Sequence, residues 1–299
     1  MAGACVLGLS PVLVRLTETG PAAAGFWRLA LALPVLGLMA RRAEGLTRGP
    51  SKLALVAGVM FALDLTFWHY GIKYTSVANA TVLSNLTPVV VTAFAWAFLK
   101  ERPRPLFLLA VAIAVGGALL MGLQRKGAPG LNPPLGDLLS AVTTLWYAFY
   151  MLAISAARRR ESASAVMFWS SLAASPLMLA AAASLGEQIL PASLAGWAAC
   201  FGLGFVHVAG QGAMAWAMGR LPAATASVTV LVQPVVAAAL GLALFAEILT
   251  PLQACGGLLA LAGVVLAQQA SRARNSCPDS EVRQRIVAGS DELRNRSGH

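Results

Sequence analysis

The chain has 299 residues, of which 58% are hydrophobic and only 11% are charged, and its mean hydropathy is +0.72. A soluble domain is about one quarter charged, so this composition excludes a cytoplasmic enzyme, a secreted disulfide scaffold and a disordered chain. What remains is an all-α membrane protein with several spans, because a helix pairs its own backbone groups inside a bilayer.

The net charge of +10 does not indicate a nucleic-acid partner. Nearly all Lys and Arg residues lie in short gaps between apolar runs or in the C-terminal tail, where they can face an anionic lipid leaflet. The four cysteines show no CxxC spacing, and the sequence has no Walker A, HExxH or Ser/His/Asp pattern. We therefore expect no cofactor, no metal and no enzymatic activity, with the lipid bilayer as the first partner.

Ten apolar runs are candidates for membrane-spanning helices, each of which needs about 20 residues to cross the hydrocarbon core. The gaps between them carry turn residues or charges, and the first run is short for a full crossing. In chain order, the predicted spans are residues 2–14, 22–40, 53–72, 77–99, 105–123, 138–157, 163–185, 194–218, 222–248 and 251–270.

The distribution of basic residues predicts the orientation of these spans. With the N-terminus in the cytoplasm, 17 of the 22 Lys and Arg residues lie on the cytoplasmic side, 4 lie on the other side, and Arg28 lies within a span. This bias predicts that both termini are cytoplasmic. Residues 271–299 have no apolar periodicity, so we expect a disordered cytoplasmic tail.

An internal repeat is the strongest pattern in the sequence. At an offset of 146, the Pro-Val pair at Pro88 aligns with the pair at Pro234, and 14 of the 43 positions in 78–120 are identical. Upstream, an offset of 142 aligns Pro34 with Pro176. Each copy holds five spans, so the second copy enters the membrane upside down, as in transporters with inverted repeats.

These four prolines lie near the middle of their spans. Each removes one backbone hydrogen bond and frees the carbonyl four residues earlier. Prolines at corresponding positions of two halves point to a hinge or a kink that lines a transporter's central site. The alternative is that they only bend their helices. The candidate hinge residues are Pro34, Pro88, Pro176 and Pro234.

Three ionisable residues within spans of the first repeat have no charged counterpart in the second. Arg28, Asp64 and His69 align with Ser170, Gly210 and Ala215. Charge inside a membrane is costly and faces a partner or a cavity. Two hypotheses follow: Arg28 and Asp64 form a structural ion pair, or Arg28 attracts a carboxylate or phosphate of a substrate while Asp64 binds an amine or a proton.

Further polar and aromatic residues recur at helical spacing. A stripe of this kind bonds to a neighbouring helix or lines a water-filled path. We predict the second role for Asn85, Tyr147, Gln211 and Gln233. Trp68 could stack on an aromatic or cationic ligand, although membrane tryptophans also serve as packing or interfacial anchors.

Two copies of a five-helix unit, each with a mid-helix Pro-Val pair, a following Glu and a Gly-rich fifth helix, resemble the EamA-type branch of the drug/metabolite transporter superfamily. The residues that carry the resemblance are Arg15, Arg28, Tyr74 to Ala78, Pro88, Val89, Glu101, Arg102, Gly116, Gly117, Pro222 to Ala224, Pro234, Val235, Glu247, Gln253, Gly256, Gly257 and Gly263. The domains would then be a first EamA-type repeat at 1–126, a second, inverted repeat at 135–270, and the tail.

This resemblance implies a secondary carrier of the bacterial inner (plasma) membrane that works by alternating access around a central cavity. Its substrate would be a small metabolite or drug-like solute, with export as the favoured direction and a coupling proton as a further partner. The alternative is a channel-like or scaffolding membrane protein without saturable transport. Small residues at four-residue spacing (Ala112 and Gly116, Gly256 and Ala260) predict close helix contacts within the chain or at a dimer face, which leaves a monomer or a homodimer open.

Overall fold

The structure, a computed structural model, describes residues 1–44, 49–75, 83–84, 86–99, 103–123, 132–245 and 250–275. These residues form ten helical segments and no strand. In chain order the segments are α1 (Ala2–Leu7 and Ser10–Leu16), α2 (Pro21–Ala30 and Leu33–Glu44), α3 (Lys52–Tyr74), α4 (Thr87–Leu99), α5 (Pro105–Leu123), α6 (Pro133–Ala157), α7 (Ala163–Ser184), α8 (Leu194–Val206, the π-helical turn His207–Gln211, and Gly212–Met218), α9 (Ala223–Thr229 and Val232–Phe245) and α10 (Pro251–Asn275).

The predicted all-α membrane fold is confirmed. Among the described helices, α2, α3, α6, α7, α8 and α10 are long and apolar enough to cross a membrane, and the remaining four are shorter apolar helices. Large apolar side chains face outward, such as Phe98 and Leu258 at 69% exposure. An apolar surface of this extent suits lipid rather than water.

Helices α3, α7, α8 and α10 begin at capping side chains. Ser51, Ser162 and Ser193 each accept a hydrogen bond from the backbone NH three residues later. At the start of α10, Thr250 and Gln253 each accept the other's backbone NH through their side chains. This reciprocal arrangement is a capping box. Such caps satisfy NH groups that have no partner within the helix.

Two helix ends differ from the predicted spans. Helix α6 begins at Pro133 rather than at residue 138, because Asn132 caps it through a hydrogen bond from the backbone NH of Leu135. Helix α10 continues to Asn275, past the predicted end at residue 270. The rest of the predicted tail, residues 276–299, lies outside the described residues.

The main helix contacts are consistent with a pseudo-two-fold relation between the five-helix repeats. Under such a relation, each contact between helices requires a second, equivalent contact. The contact between α3 and α6 corresponds to one between α8 and α1, and the contact between α3 and α7 corresponds to one between α8 and α2. Both members of each pair are present. The contacts α2–α7, α4–α9 and α5–α10 each join a helix to its own counterpart. Five is an odd number, so repeats that each cross the membrane five times would be inverted relative to each other.

The α5–α10 contact depends on glycines. A Cβ atom at Gly117 would overlap the backbones of Gly256 and Ala260, and one at Gly263 would overlap the backbone of Ala114. The small residues predicted on α10 therefore make a contact within the chain. Gly116, the predicted contact residue on α5, has no neighbour within 4 Å of its would-be Cβ. The adjacent Gly117 takes its place.

One end of the bundle is tied together by Glu187, which lies in the loop between α7 and α8. Its carboxylate accepts hydrogen bonds from the Tyr70 hydroxyl at 2.7 Å and from the backbone NH of Ala23 at 3.0 Å. Ala23 lies in the first turn of α2, where the helix dipole favours an anion. Trp27 Nε1 donates to the carbonyl oxygen of Ile189 at 2.7 Å. We call this end, which joins α2, α3 and the α7–α8 loop, the Glu187 face.

The turn between α1 and α2 is fastened to the same face. Glu18 has a φ of 57°, a left-handed conformation that costs a non-glycine residue about 1–2 kcal/mol. Its carboxylate accepts hydrogen bonds from the backbone NH of Ser193 at 3.0 Å and from the Ser193 hydroxyl at 2.9 Å. These bonds offset the cost of the backbone conformation and attach the turn to the start of α8.

Replacing Glu187 with glutamine is expected to lower the free energy of unfolding by about 1–3 kcal/mol, because two hydrogen bonds to a charged acceptor are weakened. Thermal unfolding of the purified full chain measures the effect. In a double-mutant cycle with Tyr70→Phe, the two losses should be less than additive, since both variants act on the same bond. Strictly additive losses would show that the two side chains do not interact.

Candidate functional site

The two repeats meet at a column of four stacked rings. Ring centroids are 5.7 Å apart between Tyr147 and Tyr150, 4.7 Å between Tyr150 and Phe61, and 5.7 Å between Phe61 and His207. The rings come from α6, α3 and α8. The repeat offset of 146 relates Phe61 to His207, so equivalent positions of the two copies face each other. The column therefore lies where the pseudo-two-fold axis passes through the bundle.

Arg28 is placed against this column by α2. Its Cζ atom lies 5.7 Å from the centroid of the Phe61 ring, within the range of a cation–π contact, and the residue is 9% exposed. The Nε atom has no hydrogen-bond partner in the part of the chain that the structure describes. A guanidinium held in this position is available to an anionic partner.

Asp64 lies one turn after Phe61 on α3 and is 7% exposed. Its carboxylate and the Arg28 guanidinium interact electrostatically. No direct ion pair within 4.0 Å joins them among the described residues. The structure thus brings the two charges into one buried region, as predicted, but does not place them in the direct ion pair that the first hypothesis requires.

The π-helical turn His207–Gln211 carries two more polar groups to the site. Gln211 is 3% exposed and its side chain lies beside that of Tyr147, while His207 Nε2 lies 2.9 Å from the Ser171 hydroxyl on α7. Helix α1 packs on this turn through Gly3, where a Cβ atom would lie 2.8 Å from the carbonyl oxygen of Gly210. Single π turns within α-helices occur frequently at functional sites.

Trp68 and His69 continue along α3 toward the Glu187 face. His69 is 7% exposed, interacts electrostatically with Arg28, and has an Nδ1 atom without a hydrogen-bond partner in the described segments. Trp68 is half-buried, and its ring centroid lies 5.0 Å from that of His69. Both residues therefore border the buried charges.

Two predicted site residues are not placed at the column. Asn85 lies outside the described residues. Gln233 is half-buried in the second part of α9, after the helix break at residues 230–231.

The four predicted prolines behave differently from one another. Helix breaks precede Pro34 and Pro234, and Pro88 is the second residue of its helical segment, whereas α7 continues through Pro176 without a break. Two of the freed carbonyls find other donors. The Ser84 carbonyl accepts from the Thr87 hydroxyl at 2.8 Å, and the Val230 carbonyl accepts from the Gln233 NH at 2.9 Å.

The prolines also differ in what they face. Pro34 and Pro176 are exposed on the outer surface, Pro88 is buried and Pro234 is half-buried. Of these four, Pro88 and Pro234 are therefore the two that face the interior of the bundle.

Three residues of the site were not singled out from the sequence: Phe61, Tyr150 and Ser171. His207, by contrast, shares a polar stripe with Gln211 at helical spacing. An aromatic or a serine within an apolar span gives little signal by itself. The repeat alignment contains one usable signal, because it pairs Phe61 with His207. Among the described residues, no three His, Cys, Asp or Glu side chains come together as a metal site would require.

Comparisons with known proteins agree with this architecture. The model of a family described as the EamA-like transporter family matches residues 1–123 and 134–268. The pseudopaline exporter CntI of Pseudomonas aeruginosa is 27% identical over 237 residues, which cover 78% of this chain and 81% of that protein. An uncharacterized transporter of Archaeoglobus fulgidus is 26% identical over 219 residues, which cover 73% of this chain and 77% of that protein.

A solved crystal structure shares the fold. It is 18% identical to this chain and superposes with a TM-score of 0.75, covering 91% of this chain and 95% of its own.

Proposed function

This chain belongs to the EamA-like transporter family, and from that premise we propose that it is a secondary carrier. It moves a small metabolite or drug-like solute across the bacterial inner membrane by alternating access, with export as the direction. Export is supported by the similarity to CntI, a pseudopaline exporter.

One observation carries this proposal: an arginine and an aspartate are buried without a direct ion pair, among the described residues, at the junction of the repeats. Burying charge in a membrane is costly, and such residues mark substrate or ion pathways. Interrupted helices near the midplane are a second feature of transporter sites, and α1, α2, α8 and α9 are all interrupted.

Each site residue would have a role that follows from its chemistry. Arg28 attracts the anionic group of the solute, and Asp64 holds a proton or an amine. The rings of Trp68 and Tyr147 contact its apolar part, and Gln211 orients it by hydrogen bonds. We keep His69, Asn85 and Gln233 as further candidates for the pathway, with Pro88 and Pro234 as kinks and Pro34 and Pro176 as outer hinges.

The basic residues orient the carrier with both termini in the cytoplasm, which makes the Glu187 face periplasmic. The bonds of Glu187, Trp27 and Glu18 would then close the outer side in this conformation, and export would require them to break.

Reconstitution into liposomes tests the transport function. Flux of pseudopaline and of a panel of amino acids is measured with and without a pH gradient. We expect flux of at least one solute to saturate with concentration. Flux that rises linearly without saturation would favour the channel-like alternative, and no flux of any solute would favour a scaffolding role.

Replacing Asp64 with asparagine is expected to abolish the part of the flux that the pH gradient drives, because the amide cannot carry a proton. Exchange of solute across the membrane without a gradient should continue. Asp137→Asn is the matched control, since Asp137 lies at the start of α6 and bonds to Thr75 at 2.7 Å. Gradient-driven flux that survives in Asp64→Asn would contradict proton coupling at this residue.

A further inference from the structure

Two buried nitrogen atoms beside Phe61 lack a hydrogen-bond partner among the described residues. They are Nε of Arg28 and Nδ1 of His207, in side chains that are 9% and 1% exposed. An unpaired buried donor costs free energy, so the few that occur in folded proteins call for a specific explanation, such as an ion or an ordered water. Both donors belong to side chains that contact the same ring.

The Ser171 contact determines what His207 offers. The serine hydroxyl lies 2.9 Å from Nε2 of His207, and the described residues give it no other acceptor. Since a hydroxyl proton needs an acceptor, the consistent assignment has Ser171 donating to Nε2. The imidazole proton then lies on Nδ1. His207 therefore presents an N–H donor.

Arg28 places a positive charge beside these donors. The guanidinium of Arg28 acts electrostatically on His207, and Asp64 makes no direct ion pair with it among the described residues. A buried cation without a directly bonded anion favours an anionic ligand. Two N–H donors, one of them on a guanidinium, match a carboxylate, whose two oxygens can accept one bond each.

We infer that Arg28 and His207 together bind one carboxylate of the transported solute, at the contact between the two repeats. This inference rests on the proposed transport function and names the substrate class. The solute carries at least one carboxylate, and its apolar part lies against the column of Tyr147, Tyr150 and Phe61. Ser171 is a positioning residue, because it acts through His207.

The subsite also predicts a single binding orientation. The position equivalent to Arg28 is Ser170, and the position equivalent to His207 is Phe61. The pseudo-two-fold axis therefore relates the Arg28 guanidinium to an uncharged serine, and the His207 imidazole to a phenyl ring without a donor. A carboxylate bound here has no second, symmetry-equivalent site in the other repeat.

A pair of nearly isosteric probes tests the subsite in the purified full chain. Benzoate carries the carboxylate and a ring, whereas benzamide has the same shape without the charge. Benzoate is expected to raise the melting temperature saturably, as a ligand of the folded state does, and benzamide is expected not to. His207→Phe keeps the stacked ring but removes both nitrogens, and should raise the apparent Kd for benzoate about tenfold.

Arg28→Gln should raise the same Kd further, by about 100-fold, because the charged donor contributes more. Tyr70→Phe is the control: it removes a hydroxyl at the Glu187 face, lowers the melting temperature itself, and should leave the benzoate Kd unchanged.

Three results would overturn the subsite: equal stabilisation by benzamide, an unchanged benzoate Kd in His207→Phe, or no stabilisation by benzoate, acetate or L-phenylalanine. Sodium chloride is titrated in parallel, and an equal, competing effect of chloride would show an inorganic-anion site instead. Measuring saturable pseudopaline flux in the same preparation distinguishes failure of the carboxylate subsite from failure of the proposed carrier function. If flux persists while benzoate fails, the carrier function stands and only the carboxylate subsite is lost.

Discussion

Replacing Arg28 with glutamine is expected to reduce saturable flux by about 10- to 100-fold without lowering the melting temperature. A hydrogen bond to a charged group contributes about 1.5–3 kcal/mol, which corresponds to that range in affinity. The free energy of unfolding should change little, because removing a buried charge that has no direct counter-ion also removes its desolvation cost. Flux in liposomes and thermal unfolding of the same preparation measure the two effects.

The structural ion-pair hypothesis predicts the opposite pattern for this variant. Breaking a buried pair destabilises a protein by about 3–5 kcal/mol, because the remaining charge is left uncompensated. A lowered melting temperature in Arg28→Gln that Asp64→Asn restores, with flux unaffected in both, would support that hypothesis. Arg41→Gln serves as the control, since Arg41 is exposed near the end of α2.

Replacing Gly117 with alanine is expected to destabilise the fold by about 1–3 kcal/mol, the usual cost of overpacking. The added methyl group meets backbone atoms of Gly256, Leu259 and Ala260, which cannot move aside as a flexible side chain would. Thermal unfolding of the purified chain measures the loss.

The neighbouring Gly116→Ala provides a matched control within the same helix. No atom lies within 4 Å of its would-be Cβ, so this variant should be neutral or up to about 1 kcal/mol more stable, from the higher helix propensity of alanine. Equal losses in the two variants would contradict the described α5–α10 packing.

Hydropathy and turn residues predicted the helices because each of those signals is local. An apolar run must be long enough to cross the bilayer, and a proline removes its own hydrogen bond whatever surrounds it. The breaks before Pro34 and Pro234 are of this kind. Pro176 carries the same local signal, but α7 remains continuous there, where it packs against α2 and α3.

The site was only partly predictable because its contacts join distant helices. The sequence placed Arg28 and Asp64 within spans of the same repeat, but it does not determine whether the two groups touch. The ring column forms where α3, α6 and α8 meet, and the π turn at His207 packs against α1. No single apolar run encodes either feature. The repeat alignment pairs Phe61 with His207. It does not predict that the two rings stack, because that also requires both residues to lie near the pseudo-two-fold axis.

Alternating access is the central claim, and the distance across the Glu187 face tests it most directly. Spin labels are placed at Leu16 and Leu190, which are 49% and 61% exposed, in a full-length protein freed of its native cysteines and reconstituted into lipid. We predict two distance populations, with a shift toward the longer one in Glu187→Gln, which loosens this face. A single, unchanged distance with and without solute, in both proteins, would contradict the account.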